Sequence, residues 1–178
     1  MTKFIKKLRL VENSKAMRSS PFIARVNLEE SKLEFLNRIS GDKYRGEYEL
    51  ENGQFYITRE DWSSHKNARV SYTLYYAKNN ELEIVASIFF GNAGYREFSG
   101  SEYISEDEVK KIYLKQTENK VINTLIEVAK IVADKVPCDP YDDLVSSILQ
   151  EVREKGLELS ELLKRLKKEV KRNELERR

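Results

Sequence analysis

Apolar and polar positions alternate with a period of two along residues 44–51, which predicts a β-strand with one apolar face. An Asn-Gly pair follows directly at positions 52–53. This pair favours a type I′ turn, because both central positions of that turn need a positive φ. The pattern therefore predicts a β-hairpin. Its facing pairs would be Leu50 with Phe55 and Tyr48 with Ile57.

A second hairpin is predicted from two apolar-rich stretches, residues 69–77 and 82–90, which flank Asn79-Asn80. A two-residue loop would place Leu74 opposite Val85 and Tyr75 opposite Ile84. In that register, one face collects Arg69, Ser71, Thr73, Tyr75, Leu82, Ile84, Ala86, Ile88 and Phe90. The other face collects Val70, Tyr72, Leu74, Tyr76, Val85, Ser87 and Phe89.

Shorter elements are predicted around these hairpins. Residues 4–11 and 22–26 read as two short strands, and residues 95–98 as a last one. Asn27 is followed three positions later by Glu30, which resembles a capping box. We therefore expect a short helix that begins there and ends at Gly41.

The chain turns helical after residue 104. Ser105 and Glu108 form a capping box, and helical spacing of apolar residues predicts one helix that continues to about Asp134. A second helix is expected from residue 139 to residue 156, and a third from about residue 159 to residue 177.

The fold expected from these patterns is α+β. An N-terminal antiparallel β-sheet with a short helix is followed by a C-terminal three-helix region that ends in a zipper-like helix. The expected domains are an aromatic-rich α+β domain over residues 1–136, which includes the first long helix, and a helical hairpin over residues 137–178.

Composition narrows the protein class. A single Cys and a single His exclude an intramolecular disulfide framework and a zinc site built from several Cys or His ligands. No apolar run reaches the roughly 20 residues of a membrane span, and residues 1–7 carry no signal-peptide block, so a cytoplasmic location without membrane binding is expected. The chain has 23 Glu and 3 Gln, a balance seen in thermophilic proteins.

Charge is distributed unevenly, although the whole chain carries only +2. Residues 1–25 hold seven basic residues and one acidic residue, a net of +6. Residues 26–108 hold nine basic and sixteen acidic residues, a net of −7. Residues 109–178 return to +3, with sixteen basic and thirteen acidic residues. A polyanion would therefore meet basic charge locally, at the two ends, rather than over the whole surface.

Aromatic residues are concentrated in the predicted sheet, where 12 of the 18 lie between Tyr44 and Phe98. Rings of this kind often belong to the core of a sheet, with a tyrosine hydroxyl at its rim. If helices cover only one face of the sheet, however, rings on the other face stay exposed. An exposed aromatic face with basic edges suits single-stranded nucleic acid, because bases stack on the rings and cations follow the phosphates.

The last predicted helix has a narrow apolar seam. Its residues are Leu159, Leu163, Leu166 and Val170. A helix as charged as this one gains order by meeting a partner or a second copy of the chain, which predicts a dimer or tetramer. The alternative is that it packs within its own chain and ends in a basic tail.

Catalytic and metal-binding patterns are poorly developed. Asp61, Ser63, Ser64 and His65 include nucleophile and base types, but neighbours in a loop rarely reach the geometry of a triad. Asp139 and Asp142 are explained by the start of a helix. We expect no enzyme, no cofactor and no metal site.

These features together resemble the ThermoDBP-type single-stranded DNA-binding proteins of hyperthermophilic archaea. The resemblance is carried by the aromatic-rich sheet at residues 44–98 and by the leucine seam between residues 159 and 170. It implies low sequence specificity, a cleft of hydrophobic and basic groups, and dimerisation through the C-terminal helix.

The resulting hypothesis is a non-enzymatic protein that binds single-stranded DNA or RNA and oligomerises. The rings expected to stack on bases are Tyr56, Trp62, Tyr75, Phe90 and Tyr95. The cations expected to contact phosphates are Arg18, Arg25, Arg45, Arg69 and Arg96. The alternative hypothesis is a protein-protein interaction or regulatory module that uses its C-terminal helices and binds no nucleic acid.

Overall fold

Two antiparallel sheets dominate the computed structural model, which describes residues 2–12, 20–42, 44–64, 66–116, 121–136, 164 and 167–173. The chain divides into two compact units, Met1–Val136 and Pro137–Arg178. Among the described residues, the strands are β1 (Lys3–Arg9), β2 (Phe22–Asn27), β3 (Lys32–Phe35), β4 (Ser40–Gly41), β5 (Arg45–Glu51), β6 (Phe55–Asp61), β7 (Val70–Lys78), β8 (Glu81–Phe90) and β9 (Arg96–Ser99). The helices of the first unit are α1 (Glu106–Leu114) and α2 (Val121–Lys135), and a 3-10 turn spans Asn92–Gly94.

The larger sheet has six strands in the order β3-β2-β6-β7-β8-β9. Its central hairpin joins β7 to β8 through Asn79 and Asn80, whose φ angles are 53° and 61°. Lys78 pairs with Glu81 across this turn, so the predicted two-residue loop is confirmed.

The smaller sheet has three strands in the order β1-β5-β4, and it corrects the first predicted hairpin. The Asn-Gly turn forms, with Gly53 at φ +86°, but β5 pairs with β1 whereas β6 pairs with β2 and β7. Leu50 therefore faces Phe4 rather than Phe55. The dipeptide fixes a local reversal of the chain and cannot determine which strands pair on either side of it.

Both helices pack on one face of the six-stranded sheet, called here the helix face. Ile57, Leu74 and Ile88 of the sheet lie in one buried cluster with Leu125 and Val128 of α2. The helical spacing of apolar residues thus buries a wide face of α2, which includes Ile126 and Ala129 as well.

The three-stranded sheet packs on part of the opposite side of the six-stranded sheet, called here the second face. Tyr48 and Leu50 of β5 share a buried cluster with Ile23, Tyr56 and Ala77. The unit Met1–Val136 is therefore built in three layers: helices, the six-stranded sheet and the three-stranded sheet.

A β-bulge in β8 alters the face on which its aromatic residues lie. Tyr75 pairs with Ile84 as predicted, but Leu74 pairs with Ala86 instead of Val85. One extra residue in β8 shifts every later side chain to the other face of the sheet. Phe90 consequently lies on the helix face and Phe89 on the second face, the reverse of the prediction.

The predicted short helix between Asn27 and Gly41 is wrong, because that segment forms β3 and β4. The Asn27 side chain does accept a hydrogen bond from the Glu30 N–H at 3.0 Å. This bond closes a turn between β2 and β3, in which Ser31 takes a positive φ of 52°. An Asn side chain stabilises a turn and a helix start with the same bond, so the sequence signal was ambiguous.

The predicted fold class is also wrong. The described residues are mostly β, with 44% in strands and 26% in helices, and they form two sheets instead of one sheet followed by a three-helix region. The capping box of Ser105 and Glu108 is confirmed, but α1 ends at Leu114 and α2 begins only at Val121.

The C-terminal unit is described at residue 164 and at residues 167–173, which are helical. The predicted helix over residues 139–156 lies outside the described residues. Within the described part of the chain, no helix is long and apolar enough to cross a membrane.

Candidate nucleic-acid interface

Among the described residues, the three-stranded sheet leaves one end of the second face without a buried apolar cluster. At that end, one row of side chains crosses four strands. The row is Glu60, Ser71, Phe89 and Glu97. Ser71 and Phe89 are half-buried, and Glu97 is exposed.

The next row outward brings further aromatic and basic side chains to this end. The Trp62 N–H donates to the Arg69 carbonyl at 2.7 Å, and the Gly91 N–H donates to the Tyr95 carbonyl at 2.7 Å. Strand alternation places Trp62, Arg69 and Tyr95 on the second face together with Phe89. We call the group of Trp62, Arg69, Tyr75, Phe89 and Tyr95 the aromatic patch.

Asn92 holds together the two loops that border the aromatic patch. Its carboxamide oxygen accepts the Ala68 N–H at 2.6 Å, and its amide donates to Asn67 Oδ1 at 3.0 Å. The loop that carries Arg69 is thereby fixed to the loop that carries Tyr95. Both the oxygen and the amide nitrogen of the Asn92 carboxamide are thus engaged in contacts between these loops.

Within the aromatic patch, the guanidinium of Arg69 lies over the ring of Phe89, with Cζ 5.3 Å from the ring centroid. This is a cation–π contact, and it keeps the exposed Arg69 side chain extended along the sheet. Trp62 and Tyr95 are 41% and 62% exposed. Their rings are accessible to a ligand.

Two carboxylates, Glu60 and Glu97, belong to the rows of the patch. The Trp62 indole N–H donates to Glu60 Oε2 at 3.3 Å. Burial raises the pKa of Glu60 above its usual value, and this hydrogen bond opposes the rise. Among the described residues, further polar side chains on this stretch are hydroxyls, from Thr58, Ser71, Thr73, Ser87 and Ser99.

Tyr75 lies further along the same face, between Tyr56 and Ile84 in the register. Burial raises the pKa of its hydroxyl, and the negative charge of Glu60 raises it further. Tyr75 is half-buried and forms the edge of the aromatic patch on the side of the three-stranded sheet.

Two of the predicted site residues, Phe90 and Arg96, lie on the helix face. The guanidinium of Arg96 lies 5.4 Å from the Phe90 ring centroid and 5.1 Å from that of Tyr113 in α1. Phe90 also packs edge-to-face on Tyr72 at 6.1 Å. These contacts join β8 and β9 to α1, and they are separated from the aromatic patch by the thickness of the sheet.

Tyr56 and Arg25 are structural as well. Tyr56 is 1% exposed, and its hydroxyl accepts the Glu51 N–H at 2.7 Å. Arg25 donates to Glu34 through Nε at 3.0 Å and through NH2, and its NH1 lies 3.8 Å from Glu51. Two carboxylates therefore already neutralise this guanidinium.

The other predicted residues lie elsewhere. Arg45 is exposed on the three-stranded sheet, on the side that faces away from the six-stranded sheet. Arg18 lies outside the described residues, as do Leu159, Leu163 and Leu166 of the predicted seam. Val170 is half-buried within the helical stretch 167–173. Oligomerisation through this seam stays a prediction.

Phe89 was missed by the sequence analysis. Simple alternation from the turn at Asn79 and Asn80 assigns it to the helix face, and only the bulge moves it to the second face. Nothing in the local sequence around Val85 marks the extra residue.

The loop that suggested a catalytic triad is held by main-chain contacts. Asp61 Oδ1 accepts the Ser63 N–H at 2.8 Å, and the Ser63 hydroxyl oxygen accepts the Arg69 N–H at 2.9 Å. His65 lies outside the described residues. Among the residues that are described, no group of His, Cys, Asp and Glu could hold a metal ion.

Comparisons with known proteins identify no relative. No protein-family model matches the chain, and neither a curated protein nor a solved structure matches it significantly. The resemblance to ThermoDBP-type proteins is therefore still a prediction, and the function has to be argued from the aromatic patch itself.

Proposed function

We propose that the protein binds single-stranded nucleic acid through the aromatic patch. The observation that carries this proposal is the Arg69 guanidinium stacked at 5.3 Å on Phe89, with the exposed rings of Trp62 and Tyr95 in the adjacent row. Proteins that bind single strands combine ring surfaces for the bases with cations for the phosphates.

A single strand fits this surface better than a duplex. Unpaired bases can turn their ring faces toward Trp62 and Tyr95, whereas bases within a duplex are already stacked on their neighbours. Each stacked base contributes roughly 1–3 kcal/mol where a ring is exposed.

Low sequence specificity follows from the chemistry of the aromatic patch. Every base has a ring face, so stacking discriminates little between bases. The Asn92 carboxamide beside the patch accepts from the Ala68 N–H and donates to Asn67, which limits its use for reading base edges. The patch therefore favours binding that tolerates any sequence.

Phosphate contacts would come from Arg69 and from Lys66, which is exposed in the adjoining loop. Glu60 and Glu97 oppose them. Because Glu97 is exposed and Glu60 is hydrogen-bonded to Trp62, a strand would follow the basic side of the patch, next to the loop of residues 66–69.

The test is fluorescence anisotropy with a labelled oligo-dT strand, its oligo-U counterpart and a matched duplex, each at two salt concentrations. We expect the single strands to bind more tightly than the duplex and the affinity to fall with salt. Trp62→Ala should weaken binding by about 5- to 150-fold. The matched control is Phe35→Ala, since Phe35 is 65% exposed but lies on β3, outside the patch.

Two results would contradict the proposal. One is equal affinity for single strand and duplex. The other is an equal loss of affinity in Trp62→Ala and Phe35→Ala, which would show that the aromatic patch has no particular role.

A further inference from the structure

Two arginines face each other across the three-stranded sheet. The register pairs Arg9 of β1 with Arg45 of β5, and both side chains are exposed on the side that faces away from the six-stranded sheet. Directly opposed residues of antiparallel strands bring their Cβ atoms to about 4.5–5.5 Å, and like charges there are destabilising. An anion between the two guanidinium groups would relieve this repulsion.

The neighbouring carboxylates that the structure describes balance this arginine pair only in part: none forms an ion pair with it, although the charge of Asp42 interacts with that of Arg45. Glu47 Oε1 lies 3.5 Å from the Lys7 ammonium, and Glu47 Oε2 accepts the Ser40 hydroxyl at 2.7 Å. Asp42 Oδ1 accepts the N–H groups of Tyr44 and Arg45 at 2.9 and 2.7 Å. Among the described residues, neither Arg9 nor Arg45 forms an ion pair.

A cavity of about 410 Å³ opens beside the arginine pair. Its charged lining consists of Lys7, Arg9 and Arg45 against Glu47, which is three cations against one carboxylate. Two glycines, Gly41 and Gly46, also line it, and Gly41 lets β4 approach β5 closely. A Cβ at Gly41 would lie 2.3 Å from the Arg45 carbonyl oxygen, and its φ of +118° also requires glycine.

We propose that Arg9, Arg45 and Lys7 form a binding site for a phosphate monoester. Two guanidinium groups can each direct paired N–H donors at phosphate oxygens, and the net positive charge of the lining matches a dianion. The site is independent of the proposed function, because it lies on the other sheet and on the side away from the aromatic patch.

The size of the cavity indicates what carries the phosphate. Pockets for small organic ligands commonly measure about 300–1,000 Å³, and this cavity falls within that range. Inorganic phosphate alone would leave much of it empty. The ligand class is therefore a phosphorylated small molecule of about the size of a mononucleotide.

Isothermal titration with adenosine 5′-monophosphate tests the site, with adenosine and inorganic phosphate titrated in parallel. We expect the monophosphate to bind, inorganic phosphate to bind more weakly, and adenosine not to bind. Arg9→Gln and Arg45→Gln should each weaken binding about tenfold or more, since each removes a charged donor. Lys3→Gln is the matched control, because Lys3 lies on the same strand and face but near Glu49, at 3.9 Å.

The proposal is overturned if the wild-type protein binds neither the monophosphate nor inorganic phosphate. It is also overturned if adenosine binds as well as the monophosphate, or if both arginine variants bind like wild type.

Thermal unfolding provides a second readout that does not depend on affinity. In chloride buffer, Arg45→Gln should unfold at the same temperature as wild type or higher, because it removes a like-charge contact with Arg9. At the same concentration, added adenosine 5′-monophosphate should raise the Tm of wild type more than that of Arg45→Gln. A lower Tm of Arg45→Gln in chloride buffer would show that the fold itself stabilises the arginine pair, against the proposal.

A polynucleotide could also supply the phosphate. Competition between labelled oligo-dT and the monophosphate, measured in the Trp62→Ala variant, separates the two sources. If the monophosphate displaces oligo-dT, and this displacement requires Arg9 and Arg45, the phosphates of the strand are a ligand of this site. If the monophosphate binds and oligo-dT does not, the ligand is a small molecule. The affinity for the monophosphate should be unchanged in Trp62→Ala, so failure of the aromatic patch and failure of this site are distinguishable.

Discussion

Phe89 and Phe90 are consecutive residues of β8 that lie on opposite faces of the six-stranded sheet, and each carries an arginine over its ring. Arg69 lies 5.3 Å from the Phe89 centroid on the second face, and Arg96 lies 5.4 Å from the Phe90 centroid on the helix face. Both are cation–π pairs, but the Arg69–Phe89 pair lies in the aromatic patch whereas the Arg96–Phe90 pair packs against α1. They therefore offer matched variants for separating ligand binding from stability.

Arg69→Gln should weaken the binding of oligo-dT, whereas Arg96→Gln should not. Loss of one phosphate contact lowers the salt dependence of log K by about one unit, and affinity should fall about tenfold at low salt. Anisotropy titrations at several salt concentrations measure both quantities. If Arg96→Gln lowers affinity and salt dependence as much as Arg69→Gln, strands bind outside the aromatic patch.

Phe89→Ala and Phe90→Ala should show opposite effects. Phe90 packs on the buried cluster under the helices, so its truncation should cost roughly 2–4 kcal/mol of unfolding free energy, somewhat less than for a fully buried phenylalanine. Phe89 lies outside that cluster and supports Arg69, so its truncation should mainly lower affinity for oligo-dT. Urea unfolding and anisotropy on the same two proteins check this, and a larger loss of stability in Phe89→Ala would contradict it.

Binding should also strengthen as the pH falls from about 7 toward about 4, the usual range of a glutamate. Burial raises the pKa of Glu60, so this carboxylate takes up a proton at a higher pH than usual, and the aromatic patch then loses a negative charge. Glu60→Gln should bind oligo-dT more tightly at pH 7 and lose this pH dependence. Glu97→Gln is the control and should keep it; a wild-type affinity that is constant over the range would exclude Glu60 from the interface.

Leu125→Ala tests the packing of α2 on the helix face. Leu125 is fully buried there, and its truncation should lower the unfolding free energy by roughly 2–5 kcal/mol. Ile131 lies on the same helix but is 37% exposed, so Ile131→Ala should cost less than about 1 kcal/mol. If urea unfolding shows the same loss of free energy for both variants, Leu125 does not hold α2 against the sheet.

Local signals in the sequence predicted local structure well. The Asn79-Asn80 turn, the Ser105–Glu108 capping box and the apolar stripe of α2 all form, because each depends on residues within a few positions of one another. The bond from Glu30 to Asn27 also forms, but it closes a hairpin turn because β2 and β3 pair beyond it.

Non-local features were not predictable in the same way. The partner of β5 is β1, which lies far upstream, and no pattern in either strand specifies the other. The β-bulge in β8 is another example; it lies opposite the step from Leu74 to Tyr75 in β7. The bulge determines which phenylalanine belongs to the candidate site. Of the residues of the aromatic patch, Arg69 and Tyr75 were assigned to one face from the sequence, Trp62 and Tyr95 were named without a face, and Phe89 required the structure.

The pairing of β1 with β5 has a consequence for the order of folding. Phe4 must meet Leu50 across the whole length of β2, β3 and β4, and closing so long a loop is entropically costly and slow. The hairpins of the six-stranded sheet close much shorter loops, so the three-stranded sheet should dock last. The Glu51 N–H, which donates to the Tyr56 hydroxyl between the two layers, should then gain protection from hydrogen exchange after the β7–β8 amides have done so.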